Sequence, residues 1–320
     1  MSRKVVVTDY TFPDCAREEA AARNAGAAFA AHQCQTADDV VDAVAGADVV
    51  AVQFAPFTSQ AAKVVAPGAT IIRYGVGYDN IDLAAATAAG LKVGYVPDYC
   101  TDEVADHTAA AALTLLRKLL PLHSSVANGE WAAVRHARPL KPFSESVFGF
   151  YGFGSIGRAV HARLTGFNFR FIVNDPALDT AEAARLGVET VSSDDLLARA
   201  DIISLHAPAT PETTGFFDAG HLAAMQRHAM LVNSARGQLV VEDDLAQALH
   251  NGTIAGAALD VFATEPLPAD SPLRNAPNIL LTPHAAWYSE AAIGRLQKLV
   301  AQDIERALGG QPPRKPVPGV

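Results

Sequence analysis

Cysteine is scarce in this sequence: Cys15, Cys34 and Cys100 are the only three in 320 residues, and they show neither CxxC spacing nor a histidine cluster beside them. That scarcity excludes a disulfide framework and offers no zinc-ligand pattern, so the thiols read as reduced and no metal site is expected. Missing too is any run approaching the roughly 20 apolar residues that a membrane-spanning helix needs. The opening "MSRKVVVTDY" passes from one basic cluster into three valines and stops at Thr8 and Asp9. A signal peptide carries a longer apolar region. Finally there is no excess of positive charge, since 25 Lys and Arg stand against 34 Asp and Glu for a formal net charge of -9. Nucleic acid and anionic bilayers are usually met by a basic surface, so neither is an expected partner. These absences together lead to the expectation of a soluble, cytoplasmic protein.

What the chain does contain is apolar residues in abundance, 50% of the total, with 18% charged. That balance is ordinary for a globular protein, and 320 residues favour two domains over one. Short β-branched runs recur in the first hundred residues, "KVVVTD", "ADVVAVQ", "TIIRYG" and "LKVGYVP", separated by alanine-rich stretches of helical spacing. This is the alternation of a parallel sheet covered on both faces. A long helix is expected from Thr101, ending near Pro121, and "HARPLKPFSES" reads as a surface connection. Six further strands follow: "SVFGFYG", "FRFIVND", "DIISLHAP", "AMLVNSARG", "GAALDVF" and "NILLTPH". They describe a full dinucleotide-binding domain. An amphipathic helix closes the sequence, and the tail "GGQPPRKPVPGV" is expected to be loose.

"YGFGSIGRAV" places Gly152, Gly154 and Gly157 in GxGxxG spacing between a strand and a helix. Gly152 would allow the tight turn, Gly154 the approach of a pyrophosphate, and Gly157 close packing of helix on sheet, with the helix N-terminus offering N–H groups to the anion. Alone the motif is weak evidence. Asp175, 18 positions beyond Gly157 at the end of the next strand, strengthens it. A carboxylate there accepts from ribose hydroxyls and repels a 2′-phosphate, so NAD is expected and NADP disfavoured.

Later strands end in distinctive polar residues: His206, Arg236, Asp260 and His284. In an open parallel sheet the carboxyl ends of the strands border the ligand crevice, so residues scattered in sequence converge there. Reduction of a 2-keto acid needs a hydride, a proton for the carbonyl oxygen and a positive charge for the carboxylate. His284 suits the proton transfer, its ordinary pKa being about 6.5. Arg236 suits the carboxylate through its planar fork. Glu265 can accept from the second imidazole nitrogen. Each of these also has a plain reading as a turn, loop or cap residue, and it is their recurrence at successive strand ends that favours chemistry.

With these residues assembled, the chain resembles the D-isomer-specific 2-hydroxyacid dehydrogenase family over nearly its whole length. The carrying motifs are "RYGVGYDNIDLAAATAAGLKV", "VPDYCTDEVADHT", "GFYGFGSIGRAV", "LHAPATPETTG", "LVNSARGQLV", "GAALDVFATEPLP" and "LTPHAAW". Within it, "GYDNID" and "TPHAAWYSE" look most like the C-terminal-binding-protein branch of NAD(H)-binding corepressors. The resemblance implies two Rossmann-like or flavodoxin-like domains, doubly wound, with a hinge cleft between them: residues 1–98 with 289–320 as a substrate domain, and 99–288 as the NAD-binding domain. It implies His284 as acid/base, Arg236 as the substrate-binding residue and Glu265 as the partner of His284. Tyr74, Gly75, Val76, Gly77 and Trp287 would join Arg236 and His284 around the substrate. Val76, Ser155, Ile156, Ala207, Pro208, Ser234, Ala235, Asp260 and Ala286 would line the cofactor site with the glycine turn, Asp175, His206, Arg236 and His284. A homodimer through the nucleotide domain is implied, with the helix from Thr101 as a surface for it. There are departures: Phe153 and Ser155 replace a leucine and an arginine in the glycine turn, Val241 stands where aspartate is common, and "KPFSES" replaces a glycine-lysine lead. The expected activity is that of a dehydrogenase acting on a small D-2-hydroxy acid; the alternative is an NAD(H)-responsive, corepressor-type binding module with little turnover.

Overall fold

The computed structural model describes residues 3–319, and the described chain forms two compact units, one of residues up to Cys100 with those from Tyr288 onward, the other Thr101–Trp287. In the first unit five strands, β1 (Lys4–Val7), β2 (Ala28–Ala31), β3 (Val49–Val52), β4 (Thr70–Arg73) and β5 (Lys92–Tyr95), form an all-parallel sheet in the order β2-β1-β3-β4-β5. Four of these are the β-branched runs. The fifth, β2, has the sequence AFAA and lies at the sheet edge with its ends exposed, so it carries neither the branched side chains nor the burial that mark a central strand. Alternate side chains of the sheet divide between its faces. Val6, Val50, Val52, Ile71 and Val93 pack with the helices Ala37–Val44 and Ser59–Val64, while the helix Glu290–Leu308 lies against β3, β4 and the helix Ala16–Asn24.

The tail departs from expectation, because it is docked rather than loose. Tyr95 donates its N–H to the Lys315 carbonyl at 3.0 Å, Val317 donates to Val93 at 2.9 Å, and Val317 is 1% exposed. Gly94 makes this possible: a Cβ there would lie 2.4 Å from the Pro313 ring.

The second unit holds seven parallel strands, β6 (Val147–Tyr151), β7 (Arg170–Asn174), β8 (Glu189–Thr190), β9 (Ile202–Leu205), β10 (Met230–Asn233), β11 (Gly256–Leu259) and β12 (Ile279–Leu281). The order is β12-β11-β10-β9-β6-β7-β8, with the chain reversing its direction of growth between β6 and β9. This is the doubly wound dinucleotide order, extended by one strand, and its reversal point is where such sheets bind ligands. Beyond the six expected strands, β8 is an exposed two-residue edge, too short for any period to register.

Two apolar layers sandwich the sheet. Phe148, Phe150, Val173 and Val232 pack on one face beneath Ala105, Ala109, Ala112 and Leu115 of the helix Thr101–Leu116, and Ile203, Leu205, Leu231 and Ala257 pack on the other. Each fully buried side chain of this size contributes roughly 1.5–3 kcal/mol relative to leaving it in water. That helix ends before the expected proline. Lys118 adopts a left-handed φ of 53°, and a second helix, Leu119–Ala127, takes in Pro121 in its first turn, where an N–H has no intrahelical partner to lose.

Candidate active site

Four parallel strands of the second unit deliver the side chains singled out by their chemistry: Arg236 follows β10, Glu265 follows β11, His284 follows β12 and His206 follows β9. The structure brings His284 and Glu265 together, with imidazole Nδ1 and carboxylate Oε2 at 2.7 Å. Oε1 of the same carboxylate accepts the Phe262 N–H at 2.9 Å, which fixes the orientation of the group. Burial alone would raise the Glu265 pKa, but the hydrogen bond and charge of His284, the Phe262 amide and the charge of Arg236 outweigh it, and the carboxyl is held below its ordinary value. Glu265 is therefore an anion at neutral pH.

Arg236 is presented by a short turn whose geometry is imposed from below. Asn233, 0% exposed at the end of β10, accepts the Ala235 N–H at 3.0 Å and donates to the Arg236 carbonyl at 2.8 Å. The guanidinium Nη1 donates to the Ala235 carbonyl at 2.6 Å. Gly237 lets this turn close against the loop carrying Glu265, since a Cβ there would lie 1.9 Å from the Phe262 carbonyl carbon. Asn233 was not singled out by sequence, although its place one residue before "SARG" is a signal of turn-forming side-chain chemistry.

The glycine turn stands at the reversal point. Gly152 has φ 87°, and a Cβ there would fall 2.5 Å from the Ala207 nitrogen, so only glycine permits the approach of β9's end. A Cβ on Gly157 would fall 3.1 Å from the Gly152 carbonyl oxygen. Gly154 differs, for nothing lies within 4 Å of its Cβ position, and no side chain caps the helix Ser155–Leu164 that starts behind it. Open space in front of uncapped first-turn N–H groups suits an anion such as pyrophosphate. Asp175 faces the same turn, Oδ2 accepting the Phe153 N–H at 2.5 Å and Oδ1 the Ala177 N–H at 2.7 Å. The residues present thus fit a dinucleotide.

The family model for the NAD-binding domain of D-isomer-specific 2-hydroxyacid dehydrogenases matches residues 109–286. The chain belongs to this family. It is 39% identical over 270 residues to D-3-phosphoglycerate dehydrogenase of Mycobacterium leprae, covering 84% of this chain and 51% of that one. The chain therefore spans about half the length of the curated phosphoglycerate dehydrogenases it matches. Glyoxylate reductase of Korarchaeum cryptofilum is 37% identical over 238 residues, 73% of this chain and 71% of that one. Among solved structures, the NAD-dependent formate dehydrogenase of Staphylococcus aureus in complex with NAD superposes with a TM-score of 0.85 at 29% identity, over 97% of this chain and 96% of that one. These relatives lend no support to the C-terminal-binding-protein branch or to a corepressor-type reading.

The other residues expected at the site are placed as follows. Tyr74 belongs to the core of the first unit, its ring 1% exposed and 5.3 Å from Phe12, and burial together with the Glu18 charge pushes its phenol well above the ordinary value. The segment after it turns outward through Gly75, with φ 140° and an added Cβ blocked by the Arg73 guanidinium, to half-buried Val76 and Gly77. His206 contributes backbone to the glycine turn, while its ring bonds to Ser204 at 2.9 Å and lies beside Phe150; burial pushes its pKa down to about 3, so it is neutral and no base. Asp260 and Ala286 are 3% and 4% exposed, and their polar groups bind one another, the Ala286 N–H donating to Oδ2 at 2.9 Å. Ser234 Oγ meets Thr108 Oγ1 at 2.5 Å, Ala207 is buried, Pro208 and Ser155 are exposed, and Ala235, Ile156 and Trp287 are half-buried. In the glycine turn, Arg158 lies over the Phe153 ring and pairs with Glu182 at 2.6 and 2.9 Å, which leaves its charge largely spent. Among the described residues no group of three or more metal-ligating side chains occurs, and no helix is long and apolar enough to cross a membrane.

Proposed function

We propose that this chain interconverts a small D-2-hydroxy acid and its 2-keto acid with NAD(H), using His284 as acid/base, Glu265 as its partner and Arg236 to hold the substrate carboxylate. The observation that carries this reading is the 2.7 Å contact between His284 Nδ1 and an ionised Glu265. With Nδ1 committed as a donor, proton chemistry falls to Nε2, which gives its proton to the carbonyl oxygen during reduction and recovers it from the hydroxyl during oxidation. Glu265 stays charged throughout and stabilises the imidazolium. Arg236, whose guanidinium cannot deprotonate, suits bidentate binding of a carboxylate and draws density from the neighbouring carbonyl. The nicotinamide supplies or takes the hydride when bound. Gly152, Gly154, Gly157 and the first-turn amides at Ser155 and Ile156 would hold its pyrophosphate, and Asp175 the adenosine ribose. A carboxylate at that place disfavours the 2′-phosphate of NADP.

The test is loss of NADH absorbance with a panel of 2-keto acids: pyruvate, glyoxylate, hydroxypyruvate, its phosphate ester and a methylthio keto acid. Turnover of at least one is expected, and His284→Ala is expected to abolish it while NADH binding stays near normal. Tight NADH binding without turnover of any would overturn the reading.

We also propose that the protein is a homodimer through its second unit, Thr101–Trp287. Ala105, Ala109, Ala112 and Leu115 of the helix Thr101–Leu116 are spent inside the second unit. A group of exposed apolar side chains follows it: Leu119 (51%), Val126 (57%), Trp131 (92%) and Val134 (75%). A second copy burying this group would remove from water a concentration of apolar surface unusual for a monomer.

A further inference from the structure

The turn that carries His284 is anchored by a buried side chain. Asp260, buried at the end of β11, accepts the His284 N–H on its carbonyl at 2.7 Å. Its carboxylate Oδ1 accepts the Thr282 hydroxyl at 2.6 Å and the Ala285 N–H at 2.9 Å, and Oδ2 accepts the Ala286 N–H at 2.9 Å. These bonds hold His284 at φ 50°, a left-handed conformation that a non-glycine residue adopts only when its surroundings over-determine it.

The chain of bonds extends one step further. Thr282 Oγ1 lies 3.2 Å from Nε2 of His107, on the helix Thr101–Leu116, and that nitrogen is 3.8 Å from Asp260 Oδ1. Hydrogen bookkeeping fixes the direction. An ionised carboxylate only accepts, so the single hydroxyl proton of Thr282 goes to Asp260, and the Thr282 oxygen must in turn accept from His107. His107 therefore carries its proton on Nε2. Around these groups is a cavity of about 10 Å³, bordered by His107, Asn233, Ser234, Asp260 and Thr282. At most a single water fits such a space.

We propose that His107 and Thr282 are positioning residues for the reaction, acting through the Asp260 carboxylate to hold the Thr282–Ala286 turn and with it the His284 ring. The inference rests on the acid/base role of His284. Residues that act through another in this way have as their signature a fall in kcat with KM and NADH affinity retained.

Wild-type turnover in the keto-acid panel is established first; silence there overturns the activity itself and is distinct from any effect of the variants. His107→Phe keeps the ring and removes the donor, whereas His107→Gln returns an N–H close to the place of Nε2. Expected is a kcat lowered roughly tenfold in His107→Phe, about 1.4 kcal/mol of barrier, with KM and NADH affinity within about twofold of wild type, and recovery in His107→Gln. Thr282→Val should fall similarly, and the double variant His107→Phe/Thr282→Val should be no worse than Thr282→Val. Amide hydrogen exchange at Ala285 and Ala286 should accelerate in each impaired variant. Unchanged kcat in His107→Phe, additive losses in the double variant, failure of His107→Gln to recover, or slowed turnover with unaltered exchange at Ala285 and Ala286 would each overturn the proposal.

Discussion

Gly237→Ala is the substitution that most directly probes how the Arg236 turn and the Glu265 loop fit together. The added Cβ would lie 1.9 Å from the Phe262 carbonyl carbon, 2.2 Å from its oxygen and 2.3 Å from the Ala263 nitrogen. Carbon atoms in van der Waals contact sit about 3.5–4.0 Å apart, so the two backbones must separate by roughly 1.5 Å. No rotamer relieves the clash, because all three obstructing atoms are main chain. Overpacking of this kind costs about 1–3 kcal/mol, and the upper end is expected where backbone meets backbone. The separation falls on the groups that orient Arg236 and Glu265, namely the Asn233 bond to the Arg236 carbonyl and the Phe262 bond to Glu265. A misplacement of about 1 Å in a catalytic constellation costs on the order of 100-fold in rate. Gly237→Ala should therefore lose about 2–3 kcal/mol in urea unfolding and at least about 100-fold in kcat/KM for keto-acid reduction, with NADH affinity much less affected. Wild-type stability together with wild-type kcat/KM would refute the reasoning.

Four other outcomes are open to test. Exchange of Asp175 for serine should relax the preference against NADPH, read as the ratio of kcat/KM for the two cofactors; an unchanged ratio removes the ribose assignment. Val241 caps the helix Glu242–His250 with no side-chain hydrogen bond, so Val241→Asp should raise the urea midpoint by the equivalent of about 1 kcal/mol. Trp131→Asp should shift the mass measured by light scattering from dimer to monomer, and a wild-type monomer would sink the dimer proposal. Asp201 is opposed by burial but held below its ordinary pKa by Lys141 at 2.6 Å, the Val147 N–H at 2.7 Å and His228. A carboxyl lowered on folding contributes stability above its unfolded pKa, about 3.9, and that contribution is lost as pH falls toward the folded value. Urea midpoints should accordingly show Asp201→Asn weaker than wild type at pH 7, with the gap narrowing below about pH 4.

The strands most readily read from the sequence were those buried on both faces, where β-branched runs such as "VVAV" have one explanation. The edge strands β2 and β8 escaped because an edge needs little burial and so leaves little pattern. Lys118 and the docked tail escaped for another reason: a left-handed residue that starts a new helix, and proline rings seated over Gly94, are decided by what lies opposite in space. In the candidate site, residue type and position after a strand picked out Arg236, Glu265, His284 and the three glycines, and of these the structure pairs His284 with Glu265. The burial of the Tyr74 ring against Phe12 was not legible, because it is decided by what packs opposite in space. Asn233, Thr282 and His107 were unmarked, since a polar side chain that serves another residue through one hydrogen bond resembles any other until its partner is known.

The docked tail has a consequence for how the first sheet meets its surroundings. The rim of β5 would otherwise present a row of unsatisfied peptide groups, a template on which a foreign strand could grow. Here that rim is occupied by a short antiparallel stretch bearing Pro313 and Pro316, and a prolyl nitrogen has no hydrogen to extend the ladder outward. The segment thus works as a selvedge, finishing the woven border so that polymerisation through it has nowhere to start.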